Sequence, residues 1–200
     1  MEEGLLVVVS GPSGCGKGTI CKELLRRNKD IIISISATTR KPRNGEVEGV
    51  NYFFIDKEQF DAMVQNDEFI EYANVHGNFY GTPKKFVLDK LKNGESILFE
   101  IDVQGAIQIK KMYPKAVLIF IAPPSMEELK NRIVGRGTES KSDIEKRYEN
   151  AFKELEYIKE YEYMVINDEV MNAVEKIESI IMAEKCKTIR QKELIKKILS

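Results

Sequence analysis

Short unbroken apolar runs, set between longer stretches of helical periodicity, dominate the chain. Leu5-Leu6-Val7-Val8-Val9 is the first run, stopped by Gly11 and Pro12, and similar runs recur at residues 31–35, 97–101, 117–122 and 163–166. An apolar run without alternation is what a strand buried on both faces of a parallel sheet requires. Between the runs, residues 17–27, 103–112, 125–136 and 170–186 carry apolar residues at three- and four-residue intervals with polar faces opposite. Strand and helix in alternation predict an α/β fold with a parallel central sheet flanked by helices.

Two zones interrupt this rhythm. Residues 36–93 hold a turn-rich stretch, short aromatic strands at 52–55 and 71–75 and two helical patterns, which predicts an inserted mixed α+β lobe that builds a substrate site. From Gly135 to about Tyr161 the chain carries Arg136, Gly137, Thr138 and then a highly charged helical run through Arg147, a composition that suits a mobile helical lid. The expected organisation is a single domain over residues 1–200. Its core covers about 1–35, 94–124 and 162–187, the insertion 36–93, the lid 125–161 and a tail 188–200. In the tail, Ile189, Leu194, Ile195, Ile198 and Leu199 lie among basic residues and read as a surface helix packed on the body.

Composition narrows the function classes. Lys and Arg total 31 against 32 for Asp and Glu, so a net charge of -1 gives no global attraction to nucleic acid or anionic membranes. The opening apolar run is too short for a signal segment, and no stretch approaches the roughly 20 apolar residues of a spanning helix, so the chain is expected in the cytoplasm. Cys15, Cys21 and Cys186 are odd in number and lack zinc-site spacing, which argues against a disulfide framework or a structural metal.

The strongest chemical signal follows the first strand. Gly11, Pro12, Ser13, Gly14, Cys15, Gly16 and Lys17 join a buried strand to an amphipathic helix, the context that a phosphate-binding loop demands. Glycines let backbone N–H groups converge on an oxyanion, the helix N-terminus adds partial positive charge, and Lys17 supplies a full one. The usual pattern closes on Lys followed by Ser or Thr, whereas here Gly18 and then Thr19 follow. Cys15, at a helix start, is either a thiol of lowered pKa or simply a small tolerated residue.

Downstream, Arg40 and Arg43 stand three residues apart with Tyr52 nearby, a set that can hold a phosphate dianion by several charge-assisted hydrogen bonds. The whole string from Thr38 through Arg40, Arg43, Glu46, Gly49 and Tyr52 to Ile55 resembles the guanylate kinase signature, and the resemblance extends over about residues 5–185. Gly16-Lys17-Gly18-Thr19 also resembles the loop ending of adenylate kinases and some guanylate kinases.

The resemblance implies transfer of the terminal phosphoryl group of ATP to GMP, with Mg²⁺ accompanying ATP. It places residues 11–19 on ATP, Ser36 and Thr82 on the guanine edge, Glu71 and Asp102 on the guanine N–H groups, and Tyr80 with Arg40, Arg43 and Tyr52 on the GMP phosphate. A carboxylate suits guanine, which offers neighbouring N1–H and N2–H₂ donors; such a site can discriminate by about 10⁴-fold. Gly135-Arg136-Gly137-Thr138 resembles the family's lid string, and Lys17, Arg43, Arg136 and Arg147 form the implied catalytic set. No dedicated metal site is implied: Mg²⁺ is held mainly by nucleotide phosphates and water, with Thr19 a candidate hydroxyl and the departure at Gly18 leaving open which hydroxyl, if any, lies near the ion. Neither nucleic acid nor membrane is an expected partner, and both monomer and homodimer remain open. Arg132 reads equally as an ion-pair residue or a catalytic one, and His76 as structural.

Three rivals stand beside this reading. Asp102-Val103-Gln104-Gly105 fits the Asp-x-x-Gly pattern of GTPases, yet no Asn-Lys-x-Asp string occurs. An adenylate kinase-like enzyme is favoured by Gly18-Thr19 and opposed by the signature around Arg40. A binding module of the same fold without catalysis is opposed by Lys17.

Overall fold

A computed structural model describes residues 3–75, 77–134 and 141–200. In chain order its elements are β1 (Leu6–Ser10), α1 (Lys17–Arg27), β2 (Ile31–Ile33), β3 (Ala37–Thr38), β4 (Phe53–Phe54), α2 (Lys57–Gln65), β5 (Phe69–Val75), β6 (Asn78–Pro83) and α3 (Lys84–Lys92). There follow β7 (Ser96–Glu100), α4 (Val103–Met112), β8 (Val117–Ala122), α5 (Met126–Val134), α6 (Lys141–Leu155), β9 (Tyr163–Ile166), α7 (Val170–Lys185) and α8 (Lys192–Leu199).

The larger sheet is parallel, in the order β2-β7-β1-β8-β9. Its central strand explains the first apolar run. Leu5, Val7 and Val9 pack with Ile20 and Leu24 of α1 and with Val174 and Ile177 of α7. Leu6 and Val8 point the other way, to Val87 and Leu91 of α3 and to Ala106 and Ile109 of α4. Both faces are therefore covered, and each fully buried Leu or Val contributes about 1.5–3 kcal/mol. Because β1 lies between β7 and β8, the strand order reverses beside it and a crevice opens at the strand carboxyl ends.

The smaller sheet, in the order β4-β3-β6-β5, has its own core of Ala37, Phe60 and Phe69, with Phe53 and Phe79 packed around it. Phe60 and Phe69 stack at 4.6 Å between centroids. A reciprocal capping box between Asp56 and Gln59 starts α2 beside this core.

Element ends differ from the sequence reading by a residue or two in several places, and three departures have a clear physical reason. The strand expected over residues 31–35 stops at Ile33, because the chain leaves the large sheet there to enter the small one at Ala37. The helix expected over 125–136 spans Met126–Val134, with the Ser125 hydroxyl accepting from the Glu128 N–H at 3.1 Å as its cap; Gly135 and Arg136 lie outside the described residues. The tail is not packed on the body through its apolar stripe: Leu194, Ile195, Ile198 and Leu199 of α8 are all exposed. The tail is anchored instead by polar contacts, Arg190 to Glu184 at 3.3 Å and to the Lys115 carbonyl at 2.8 Å. No helix among the described residues is long and apolar enough to cross a membrane.

Candidate active site

The loop from Gly11 to Lys17 leaves the carboxyl end of β1 and enters α1, at the crevice where the strand order reverses. Gly11, Gly14 and Gly16 all adopt positive φ, which turns the loop amides inward. Lys17 curls back along the loop, its Nζ donating to the Gly11 carbonyl at 2.5 Å and the Pro12 carbonyl at 3.1 Å. Cys15 is buried, and burial pushes its thiol above its ordinary range while Lys17 opposes the shift only partly. It is thus the small packed residue, not the activated thiol.

Asn167 and Glu100 complete this half of the site, and the sequence reading passes over both. The Asn167 side chain is buried at the end of β9 and donates through Nδ2 to the Cys15 carbonyl at 2.7 Å, fastening the loop to the sheet. A β-carbon on Gly16 would stand 2.3 Å from that nitrogen, so the approach itself excludes any side chain there. Arg132 donates to the Asn167 carbonyl at 3.2 Å and to Glu128 at 2.9 Å, which makes it part of this scaffold. Glu100, at the carboxyl end of β7, faces Gly18: a β-carbon there would lie 3.2 Å from its Oε1. Desolvation holds the Glu100 carboxyl above its usual range, with Lys17 pulling the other way. The missing hydroxyl at position 18 therefore coincides with a carboxylate supplied from the neighbouring strand.

The second half of the site is built on the small sheet. Arg40 donates through Nη2 to both Glu46 oxygens at 2.7 and 2.9 Å, through Nη1 to the Lys41 carbonyl at 2.7 Å, and through Nε to the Tyr80 hydroxyl at 3.2 Å. Its guanidinium lies 5.4 Å from the centre of the Tyr52 ring, and Tyr52 meets Tyr80 edge to face. Arg40, Tyr52 and Tyr80 therefore form one cluster, fixed by Glu46. The Glu46 carboxylate also accepts from the Arg43 backbone N–H at 2.7 Å, so it shapes the turn between the two arginines. The Arg43 side chain is exposed beside them.

Deeper in the cleft, Ser36, Thr82 and Glu71 form a hydrogen-bonded row. The Ser36 and Thr82 hydroxyls lie 3.1 Å apart, and the Thr82 hydroxyl donates to Glu71 Oε1 at 2.7 Å. Glu71 is only 5% exposed, and desolvation, reinforced by the negative charge of Asp102, raises its carboxyl to about 7. Its other oxygen leans on the first turn of α4, where a β-carbon on Gly105 would come within 3.0 Å. Asp102 caps that helix, accepting from the Gly105 N–H at 2.8 Å through Oδ1. The sequence reading assigns Asp102 to the base alone; the fold uses one of its oxygens to start α4 and leaves the residue half-buried beside Glu71.

Across the cleft, α6 reaches the phosphate loop at Ser13. Arg147 donates through Nη2 to the Ser13 hydroxyl at 2.7 Å, and Glu154 accepts from the Ser13 backbone N–H at 3.3 Å. Arg136 and the string around it lie outside the described residues, as does His76. A cavity of about 470 Å³ lies at the opposite edge of the sheet, under the tail, between Lys110, Ala116 and Arg190. None of the described candidate residues lines it, and its buried Glu184 is taken up by Tyr163, Lys187 and Arg190.

This arrangement juxtaposes a phosphate loop, an arginine–tyrosine cluster and a buried carboxylate row around one cleft. The guanylate kinase family model matches residues 3–184. The guanylate kinase of Caldanaerobacter subterraneus subsp. tengcongensis is 56% identical over 197 residues, covering 98% of this chain and 96% of that one. That of Clostridioides difficile is 56% identical over 195 residues, covering 98% and 95%. The crystal structure of guanylate kinase from Anaplasma phagocytophilum superposes with a TM-score of 0.78 at 37% identity, over 95% of this chain and 90% of that one. The chain therefore belongs to the guanylate kinase family, and its reaction is transfer of a phosphoryl group from ATP to GMP.

Proposed function

We propose that residues 11–19 hold the phosphates of ATP, that Arg40, Arg43, Tyr52 and Tyr80 hold the phosphate of GMP, and that Ser36, Glu71, Thr82 and Asp102 read guanine. The observation that carries this reading is the row Ser36–Thr82–Glu71, a buried acceptor set prepared for neighbouring N–H donors. Adenine presents a lone pair at the ring position where guanine presents N1–H, so it would leave the desolvated Glu71 with no donor from the base.

Phosphoryl transfer asks for in-line positioning, exclusion of water and positive charge around the moving group. In this reading Lys17, Arg43, Arg136 and Arg147 supply the charge, the small sheet (36–93) is the acceptor lobe, and the region 125–161 is the lid. No general base is needed, since the accepting oxygen of GMP is already anionic near neutral pH. The residues present fit Mg²⁺: Glu100 offers a hard oxygen facing Gly18, and Thr19 an exposed hydroxyl at the start of α1. Glu100 and Thr19 would hold the hydrated ion, which when bound would neutralise charge on the phosphate oxygens. Cytoplasmic purine nucleotide metabolism is the setting that this chemistry fits.

Arg40→Lys tests the acceptor half. Lysine keeps the charge but cannot make the fork that joins Glu46 and Tyr80. The expected result is a KM for GMP raised by about 10- to 100-fold with the KM for ATP within about twofold of wild type. Steady-state kinetics varying each substrate in turn would refute the assignment if both constants stayed unchanged or if ATP alone responded.

A further inference from the structure

The phosphate loop, whose amides are shaped to receive oxyanions, already has a carboxylate on it. Glu154 accepts from the Ser13 N–H at 3.3 Å, and Lys17 is near enough to favour its charged form. The same helix sends Arg147 to the Ser13 hydroxyl at 2.7 Å. Glu154 and Arg147 are seven residues apart on α6, which is two turns, or about 10 Å along the axis. Both therefore lie on one face of α6, and that face is turned to a single residue of the loop.

A half-buried carboxylate here is unfavourable unless something compensates it. Desolvation pushes the Glu154 carboxyl above its ordinary range, and the negative charge of Asp102 adds to the shift; among the described residues Lys17 and the Ser13 amide oppose it. Glu154 also faces Cys15 and Tyr161, neither of which carries a positive charge. The polyphosphate of ATP brings several negative charges to the same amides and the same lysine. Like charges brought to the same amide repel, so Glu154 and the phosphates of ATP would exclude one another there. Glu154 and Arg147 share α6, so a shift of the helix that withdraws Glu154 carries Arg147 with it.

We infer that Glu154 is an internal anion that holds the phosphate loop until ATP replaces it, and that this exchange couples ATP binding to the movement of Arg147. The inference rests on residues 11–19 being the ATP site. Glu154 acts here as a positioning residue, through Ser13 and through the helix that bears Arg147.

The test compares wild type, Glu154→Gln, Glu154→Ala and Lys17→Ala as full chains. Binding of a non-hydrolysable ATP analogue with Mg²⁺, without GMP, is measured by calorimetry at low salt. GMP binding is measured in parallel, together with the amide resonance of Ser13 in ¹⁵N-labelled protein. Glu154→Gln keeps a hydrogen-bond acceptor but removes the charge, and the expected result is analogue binding about 10-fold tighter. GMP affinity stays within about twofold, and the Ser13 resonance, different in the free wild type and free Glu154→Ala, moves on analogue binding to one common position in both. Analogue affinity unchanged or weakened in both Glu154 variants, with Lys17→Ala impaired, overturns the exchange alone. Analogue affinity unaffected in Lys17→Ala overturns the assignment of the loop itself. If Glu154→Gln folds poorly, the Ala variant and the wild-type Ser13 resonance decide the matter.

Discussion

Replacing Lys17 by Ala is expected to lower kcat by about 10³-fold, on the order of 4 kcal/mol of transition-state stabilisation, while the KM for GMP changes little. The loop presents backbone dipoles, and Lys17 is the one full positive charge within it; its ammonium is already drawn into the loop by the Gly11 and Pro12 carbonyls. Those bonds raise an alternative: that Lys17 merely closes the loop. Thermal unfolding separates the two: Lys17→Met keeps the aliphatic stem but loses the charge and both carbonyl bonds, so a lysine that only closes the loop would show as lost stability in either variant. Equal loss in both variants, with thermal unfolding shifted by only a few degrees, assigns the effect to charge at the phosphates. Near-normal turnover in Lys17→Met would place the chemistry elsewhere.

Glu71→Gln is expected to do two opposite things. Guanine binding loses its carboxylate acceptor and meets an amide N–H₂ instead, so kcat/KM for GMP falls by about 10²- to 10³-fold, with the KM for ATP unchanged. Stability moves the other way. The unfolded chain releases this proton near 4.5, whereas the folded chain keeps it to about 7. Between those values the folded state binds more protons, so the wild type loses stability as pH rises through the window, and above it the full penalty of roughly 3 kcal/mol persists. Glutamine carries no such penalty, so the variant is expected to unfold at a higher temperature than wild type at pH 8, with the advantage fading near pH 5. GMP affinity of the wild type falls below about pH 7, as Glu71 takes up its proton, and does so more steeply than in the variant, where only the GMP phosphate itself titrates, at about pH 6. Loss of GMP discrimination without the pH-dependent gain would mean that Glu71 is not desolvated as the structure has it.

Much of this site is legible in the residues themselves. The apolar runs mark the large sheet because a doubly covered parallel strand has no polar face to show, as at Val117–Ala122; Tyr163–Ile166 also coincides with its expected strand, although it lies at the sheet edge with Met164 and Ile166 exposed. The phosphate loop is legible because glycine, lysine and helix start are contiguous. The acceptor cluster is partly so: Arg40 and Tyr52 share a string, but Tyr80 reaches Arg40 only because β3 and β6 pair.

What stays hidden is set by distance along the chain. Asn167 follows an unremarkable strand, and its hold on Cys15 spans 152 residues. Glu154 is one of many acids on a charged helix, and nothing local tells which of them faces Ser13 across 141 positions. Gly18 reads as a departure from the motif until Glu100 is seen beside it. The exposed stripe of α8 shows the converse limit: amphipathic periodicity indicates a face, not that the rest of the chain covers it.

The central claim is that one cleft joins an ATP loop to an acceptor site built for guanine. It is tested most directly by ADP formation from ATP and Mg²⁺ with GMP, AMP, CMP and UMP supplied separately to the wild-type chain. The account predicts turnover with GMP at a kcat/KM at least about 10³-fold above that with AMP, and still less with the pyrimidines. Comparable rates with AMP, or no ADP with any acceptor, would contradict it.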